Sequence, residues 1–236
     1  SHIAALVVTA LVSVSAACNT RSKVTASLML LMPFAVHGDG FQFEEGTHYT
    51  LLEVPIRSRN AAVVEVTEYF SYGCPHCYRF EPMVQNWKNT LPQEVDFNRT
   101  PAIWSVPGYE LYARTFYTAQ ALGILEKVHY PIFQAIHSDR RSLVDLKSMA
   151  EFVAEKGVDP EEFVKTFSDS FGVKAQYQQA IARQRIYKSN GVPAIIVNGK
   201  YRIEASMVGN SNSAMLQVAD FLIEKELQLI KAGPNT

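Results

Sequence analysis

The chain has 236 residues, of which 47% are hydrophobic, and a formal net charge of −1 at pH 7. This length allows one large domain, or one domain with an insertion, and enough apolar side chains to fill a core. The near-zero charge offers no basic face for nucleic acid, so we expect no nucleic-acid partner. Three cysteines are too few for a scaffold held together by disulfide bonds, which indicates another role for them.

The first forty residues are expected to be a signal or membrane-targeting segment outside the folded domain. One apolar run spans residues 3–17 and stops directly before Cys18, and a second spans residues 24–36. Each run is shorter than the roughly 20 residues of a transmembrane helix and suits the apolar region of a secretory signal.

Three interpretations of this segment stay open. Cleavage before Cys18 would leave a lipid-anchored cysteine, although Ser15 stands where that motif usually has Leu. Alternatively, Arg21, Lys23 and the second apolar run form the signal, with cleavage near Gly38. The third interpretation is a buried N-terminal helix. Both export interpretations place the mature protein in an oxidising compartment, where a redox-active cysteine pair can function.

A strand–helix–strand pattern opens the mature chain. Residues 49–54 and 61–70 are predicted strands, and the second is rich in Val and aromatic side chains. A helix is predicted from Cys74 to residue 90, where Leu-Pro stops it, and residues 95–103 are predicted to form another strand.

Helices then follow one another. Asp159 and Pro160 form a good helix start, with Asp as the N-cap and Pro at the first helical position. Pro131 indicates a kink or a fresh start inside the second helix. The predicted helices cover residues 109–123, 124–137, 143–156, 160–168 and 173–188.

A hairpin and a helix complete the chain. Residues 194–197 are an apolar strand, Asn198-Gly199 is a strong hairpin signal, and residues 200–203 pair back. Residues 213–227 form the last predicted helix. The order of elements predicts an α/β fold in which helices pack on a central sheet, with residues 107–172 as an inserted all-helical subdomain.

Cys74 and Cys77 enclose Pro75 and His76 where a predicted strand ends and a helix begins. The first turn of a helix carries unpaired N–H groups and the positive end of the helix dipole, which stabilise a thiolate. Pro75 at the first helical position loses no hydrogen bond, and His76 adds a positive or hydrogen-bonding group between the sulfurs. These effects predict a lowered pKa for Cys74, at about 1.4 kcal/mol per unit.

A stabilised thiolate favours the reduced pair, so the disulfide form is predicted to oxidise other proteins. A client thiolate would attack Cys74 at the exposed start of the helix and form a mixed disulfide. A second client thiolate would then resolve it. Cys77, one turn further inside, is expected to be more buried and to close the ring on reoxidation.

Two other uses of the cysteine pair stay open. A zinc site would need two further ligands, but the sequence has no second cysteine pair, and His76 lies awkwardly between the sulfurs. A structural disulfide across so short a spacing would close a very small loop and add little stability. We therefore expect neither a metal ion nor a cofactor.

The run EYFSYGCPHCY at residues 68–78, followed far downstream by GVPAIIVNGKY at residues 191–201, resembles the DsbA family of bacterial periplasmic dithiol oxidases. The resemblance covers about residues 43–230. It implies a thioredoxin-like fold, with residues 41–106 and 173–230 forming the thioredoxin-like domain around the helical insertion. Cys-Pro-His-Cys is characteristic of the oxidase branch, whereas thioredoxins typically carry Gly-Pro between the cysteines.

The resemblance implies roles for further residues. Pro193 matches the cis-proline that faces the active-site sulfurs in thioredoxin-fold enzymes. The exposed backbone of Val192 before it can pair with an extended client peptide. Glu68 matches the acidic residue under the active site, which can relay a proton to or from Cys77, and Arg99 stands near the position of its basic partner.

Aromatic residues near the cysteines are candidates for client binding. Tyr72 and Tyr78 could line a client groove, whereas the helical spacing of Phe80 favours the core. Gly73 departs from relatives that carry an aromatic residue there, which would soften the apolar surface around the site. Three histidines without a partner pattern are expected to be surface or packing residues: His48, His129 and His137.

The resemblance also implies partners and a location. We expect the clients to be unfolded or reduced exported proteins, the reoxidant to be a quinone-linked membrane protein similar to DsbB, and the protein to be a periplasmic monomer. Two alternative functions are a disulfide reductase or isomerase of the same fold, and a non-catalytic periplasmic peptide-binding chaperone. Isomerases of this kind usually carry a dimerisation domain, and no such stretch stands before residue 48.

Overall fold

The computed structural model describes residues 43–105 and 108–233 of the chain. The predicted targeting segment at residues 1–40 and the hypothesis of a lipid anchor at Cys18 lie outside the described residues. Within the described ranges, no helix combines the length and the apolar character needed to cross a lipid bilayer.

The described residues form one mixed sheet of five strands in the order β1-β5-β4-β2-β3. Strands β2 and β3 are parallel, whereas β4 pairs antiparallel with β2 and β5, and β5 pairs antiparallel with β1. A parallel pair needs a crossover helix and an antiparallel pair can use a tight hairpin, and both connections are present. The strands are β1 (Thr50–Leu51), β2 (Val64–Phe70), β3 (Val95–Pro101), β4 (Ala194–Val197) and β5 (Tyr201–Glu204).

The helices confirm the predicted α/β fold with a helical insertion. Helix α1 connects β2 to β3, five helices separate β3 from β4, and α7 follows β5. A short 3₁₀ turn (Ala205–Val208) joins β5 to α7. The helices are α1 (Pro75–Lys88), α2 (Tyr109–Ala121), α3 (Leu125–His137), α4 (Leu146–Glu155), α5 (Pro160–Asp169), α6 (Phe171–Tyr187) and α7 (Asn212–Ala232).

Each predicted element is present, but some begin or end elsewhere. Strand β2 starts at Val64 rather than at residue 61, because Asn60 holds a turn through a hydrogen bond from the Ala62 N–H to its side chain. Pro131 lies inside a continuous α3 and starts no new helix. Asp159 caps α5 as predicted, since its carboxylate accepts the N–H groups of the next helical turn.

Strand β2 lies between β4 and β3 and is almost wholly buried. Val64 and Val66 face a core shared with α1 and α7, and the alternate face carries Tyr69 against Tyr187 of α6. Phe70, at the end of the strand, packs on the helices of the insertion. Helices therefore cover the strand that leads directly into the cysteine segment, which fixes the position of Cys74.

Gly199 in the β4–β5 hairpin provides a test of this architecture. Its φ is +60°, and a Cβ placed on it would collide with the carbonyl oxygen of Ile56. We expect Gly199→Ala to lower the free energy of unfolding by at least about 2 kcal/mol, measured by urea denaturation. The control Gly172→Ala, with an ordinary φ in α6, should be neutral or slightly stabilising. Equal effects of the two substitutions would contradict this account of the hairpin.

Candidate active site

Cys74 is the N-cap of α1, in extended backbone conformation, and Pro75 occupies the first helical position. The loop before it is fixed by Ser71. The Ser71 carbonyl accepts the Cys74 N–H at 3.1 Å, and its hydroxyl oxygen accepts the Gly73 N–H at 3.1 Å. Because Pro75 has no N–H, it leaves no donor unpaired at the helix start. The local sequence thus presents the Cys74 sulfur at the positive end of α1.

The two sulfurs differ in burial, as predicted. Cys77 is wholly buried, whereas Cys74 is 8% exposed. Both are free thiols, and the Cys74 Sγ donates a hydrogen bond to the Val192 carbonyl oxygen at 3.3 Å. The Val192–Pro193 peptide bond is cis. The structure therefore brings Cys74, Cys77, Val192 and Pro193 together, although they come from distant parts of the chain.

The pKa values of the two thiols move in opposite directions. A hydrogen bond from the Cys77 side chain, helped by backbone N–H groups of the first helical turn and by His76, lowers the pKa of Cys74 to about 6. Burial, together with the neighbouring Cys74, raises the pKa of Cys77 well above its ordinary value. At neutral pH the reduced pair thus holds a thiolate on Cys74 at the start of the helix and a thiol on Cys77 one turn inside.

His76 lies on the exposed side of α1, beside a cation that we did not predict. The Arg79 Nη2 donates a hydrogen bond to the His76 Nδ1 at 2.9 Å. Because a guanidinium only donates, the Nδ1 of His76 is an acceptor in this arrangement. The i, i+3 spacing of the two residues is the sequence signal that indicates such a pair.

A buried ion pair lies behind the cysteines. The Arg99 Nε donates to the Glu68 Oε2 at 2.7 Å, and its Nη2 donates to the Glu81 Oε1 at 2.8 Å. Both carboxylates are wholly buried, and the 2.7 Å contact makes Arg99 the basic partner of Glu68. Burial, opposed by Arg99 and reinforced by Glu81, raises the pKa of Glu68 to about 7. Glu68 in turn raises the pKa of Cys77, so this buried ion pair acts electrostatically on the inner sulfur.

The contact of Glu81 with Arg99 was not predicted from the sequence. Glu81 follows Cys77 by four residues, so it lies on the inner face of α1, and burial raises its pKa also. One arginine thus faces two buried carboxylates. The acid at i+4 from the inner cysteine is the only signal for this in the sequence, because the contact with Arg99 depends on the fold.

The prediction that the Tyr72 side chain lines a client groove is wrong. Tyr72 is wholly buried, because the helical insertion packs over its ring. Its hydroxyl is 2.7 Å from the His129 Nδ1, and its carbonyl oxygen accepts a 2.7 Å hydrogen bond from the His137 Nε2. These two histidines therefore hold the loop before Cys74 in addition to packing.

The remaining aromatic residues divide between core and surface. Phe80 is wholly buried, as predicted, and Tyr78 is partly buried and stacked on His137 with ring centroids 5.4 Å apart. Gly73 faces the insertion, where a Cβ would lie 3.1 Å from the ring of Tyr112. The Tyr112 ring thus occupies the space beside Gly73, which corrects the expectation that this glycine softens the apolar surface.

The hydrogen bond from Cys77 to Cys74 can be tested by titration. We expect Cys77→Ala to raise the pKa of Cys74 from about 6 toward its ordinary value, measured by thiolate absorbance near 240 nm. The matched variant Cys74→Ala, which retains the buried thiol, should show no thiolate near pH 6. An unchanged Cys74 pKa in Cys77→Ala would exclude the inner thiol as the main cause.

The same shift predicts a pH-dependent stability difference between the two redox forms. The folded pKa of Cys74, about 6, lies below its ordinary value of 9.0, so the thiolate stabilises the reduced form fully above pH 9. This contribution is lost as pH falls through about 6, and the oxidised form has no thiol to titrate. The Tm of the reduced form, relative to that of the oxidised form, should therefore decrease between pH 9 and pH 5. A constant difference would contradict the shift.

Comparisons with known proteins agree with this geometry. A family model described as the DSBA-like thioredoxin domain matches residues 93–219. Thiol:disulfide interchange protein DsbA of Pseudomonas aeruginosa is 38% identical over 207 residues, which cover 86% of this chain and 95% of that protein. The protein of the same name from Azotobacter vinelandii is 41% identical over 181 residues, which cover 77% of this chain and 83% of that protein.

Solved structures show the same likeness. The crystal structure of Pseudomonas aeruginosa DsbA, at 38% identity, superposes with a TM-score of 0.75 over 80% of this chain and 97% of that chain. Oxidoreductase DsbA from Xylella fastidiosa, at 30% identity, superposes with a TM-score of 0.70 over 76% of this chain and 95% of that chain. With its reactive cysteine pair and cis-proline, the chain belongs to the DsbA family of thiol:disulfide interchange proteins and is a protein disulfide oxidoreductase.

Proposed function

We propose that the protein is a dithiol oxidase that donates its Cys74–Cys77 disulfide to reduced exported proteins. The observation that carries this proposal is the difference between the two thiols. The pKa of Cys74 is lowered to about 6, so the reduced form is stabilised by its thiolate. A stabilised reduced form makes the disulfide a stronger oxidant, so transfer of the disulfide to a reduced client is favoured.

The transfer takes two exchange steps. A client thiolate attacks the Cys74 sulfur, so that a client–Cys74 bond forms, the Cys74–Cys77 bond breaks, and the Cys77 sulfur leaves with the electron pair and takes up a proton. A second client thiolate then attacks the client sulfur of the mixed disulfide, and Cys74 leaves as a thiolate. The client loses two electrons and gains a disulfide, and the enzyme gains the two electrons.

The neighbouring residues have distinct roles in this scheme. Pro75 starts α1 without an unpaired N–H, and His76 contributes to the stabilisation of the Cys74 thiolate. The Val192 carbonyl oxygen, which lies 3.3 Å from the Cys74 sulfur, is available to an extended client strand when the client sulfur is bound to Cys74. Pro193 holds this backbone toward the sulfurs.

Glu68 supplies the proton that the leaving Cys77 sulfur needs. Its pKa of about 7 means that it carries a proton in roughly half of the molecules at neutral pH, whereas an ordinary carboxyl would carry almost none. The raised pKa of Cys77 means that its thiolate binds that proton readily. On reoxidation the carboxylate of Glu68 takes the proton back.

A disulfide donor needs an oxidising compartment and an electron acceptor. We therefore place the protein in the periplasm, as a monomer exported by its N-terminal segment and either released or anchored through Cys18. A quinone-linked membrane protein similar to DsbB would reoxidise it. Membership of the DsbA family supports these assignments.

The redox potential separates a donor from a reductase. In glutathione buffers, with thiols trapped by alkylation, we expect a potential near about −120 mV, at the oxidising end of the range for dithiol enzymes. A value near about −270 mV would mean that the pair prefers to be oxidised, and the protein would then be a reductase.

Cysteine variants separate an oxidase from a chaperone. Cys74→Ser should abolish disulfide formation in a reduced client, whereas Cys77→Ser should accumulate the mixed disulfide at Cys74, visible as a reducible adduct on a gel. A non-catalytic peptide-binding protein would retain its function in both variants. Full disulfide-forming activity in Cys74→Ser would end the proposal.

Proton delivery by Glu68 predicts a pH signature. Glu68→Gln should slow oxidation of a reduced client by about tenfold or more below pH 7, where the wild-type carboxyl carries a proton. The ratio of wild-type to variant rates should fall toward one as pH rises through about 7, because Glu68 then loses that proton. Glu65→Gln, on the same strand but paired with Arg59 near the surface, is the matched control. A ratio independent of pH would show that Glu68 only holds Arg99.

A further inference from the structure

A groove of about 350 Å³ lies directly beside the cysteine segment. Val192 and Pro193 form its edge nearest Cys74, and His76 closes that end. Together with Gly191 and Ala205, five polar residues line the rest of the groove: Asn190, Glu204, Ser206, Asn210 and Asn212. A client strand that pairs with the Val192 backbone places its neighbouring side chains over this groove.

Glu204 is the acidic residue of this lining. It is 8% exposed, and it pairs with Ala194 across the β4–β5 ladder, one residue beyond Pro193. The Ser189 hydroxyl and the Asn190 N–H both donate to its Oε1, at 2.6 and 2.8 Å. None of the hydrogen bonds to Glu204 from the described residues goes to its other oxygen, Oε2. One oxygen therefore holds the loop before Val192, and the second remains for a donor in the groove.

Arg202 is paired with Glu204 on the side away from the groove lining. The Arg202 Nε is 3.8 Å from the same Oε1, and its Nη1 is held by the carbonyl oxygens of Tyr187 and Lys188, each at 2.6 Å. Arg202 does not line the groove, whereas His76, at the end next to Cys74, does. A partly buried carboxylate among amide and hydroxyl groups is suited to a cationic side chain rather than to an apolar one.

We propose that Glu204 makes this groove select client segments that carry a lysine or arginine close to the reacting cysteine. This inference rests on the proposed function, because it names the clients of the same site. The client backbone is positioned by Val192 and Pro193, and the client cation reaches the carboxylate of Glu204. An acidic client residue at the same place would be repelled.

The test measures oxidation of matched peptides by the oxidised full-length protein. Each peptide has two cysteines and differs only in one residue next to the first cysteine, which is Lys, Gln, norleucine or Glu. We expect the second-order rate constant to be roughly fivefold higher for Lys than for Gln, and lower again for Glu. In Glu204→Gln, whose amide oxygen can still accept from Ser189 and Asn190, the preference for Lys should disappear.

Two controls exclude other causes of a preference for Lys. Dividing wild-type by variant rates for each peptide cancels the effect of the flanking residue on the client thiol itself. Glu224→Gln, the same change on an exposed turn of α7 about 18 Å along the helix from Asn212, should keep the wild-type preference. The redox potential of Glu204→Gln should equal that of the wild type.

The possible results distinguish a failure of the proposed function from a failure of this inference. A wild-type protein that oxidises none of the peptides contradicts the proposed function. A wild-type protein that oxidises all of them without preferring Lys, or that prefers norleucine, contradicts the inference alone. An equal Lys preference in wild type and Glu204→Gln would show that another group supplies the selectivity, and would also overturn it.

Discussion

The chemistry of this protein depends on the hydrogen bond from the Cys77 thiol to the Cys74 sulfur at the first turn of α1. It is the largest cause of the lowered Cys74 pKa, and it needs no ion pair. The interaction forms because β2 ends, Ser71 fixes the loop, and Pro75 begins the helix at the next residue. A donor one turn inside the helix then stabilises a thiolate at its start. The same contact gives the two sulfurs their different roles, since the donor stays protonated and buried.

The buried ion pair explains how a proton is kept near the inner sulfur. Glu68 and Arg99 are partners in the parallel β2–β3 ladder, and Glu81 reaches the same guanidinium from α1. One cation cannot fully compensate two carboxylates that are both removed from water. The cluster therefore retains a proton up to a higher pH than an exposed carboxyl would, and burial raises the pKa of Glu68 to about 7. The Cys77 sulfur, with its raised pKa, takes up a proton in this pH range when the disulfide is reduced, which suits this cluster to act as the proton source.

Local patterns in the sequence predict most of the fold and the reacting pair. The Val-rich and aromatic run of β2, the Asn-Gly hairpin and the Asp159 cap are each encoded within a few residues. The contacts that were missed join distant segments. Tyr72 follows a buried strand, and its burial depends on α3, more than fifty residues later, folding back so that His129 meets its hydroxyl. The Glu81 contact depends on how α1 packs against β3, and helical periodicity does not determine that packing.

The contacts that lower the Cys74 pKa and the residues that line the groove come from different elements of the fold. The acidity of Cys74 depends on short contacts within α1 and the loop before it. The groove depends on the loop before β4, the end of β5 and the start of α7. The two regions meet at the hydrogen bond between Cys74 and the Val192 carbonyl and at His76. A change at Glu204 that preserves the hydrogen bonds to Ser189 and Asn190 therefore leaves the thiolate environment intact. Client choice can then change while the oxidising strength of the pair stays the same.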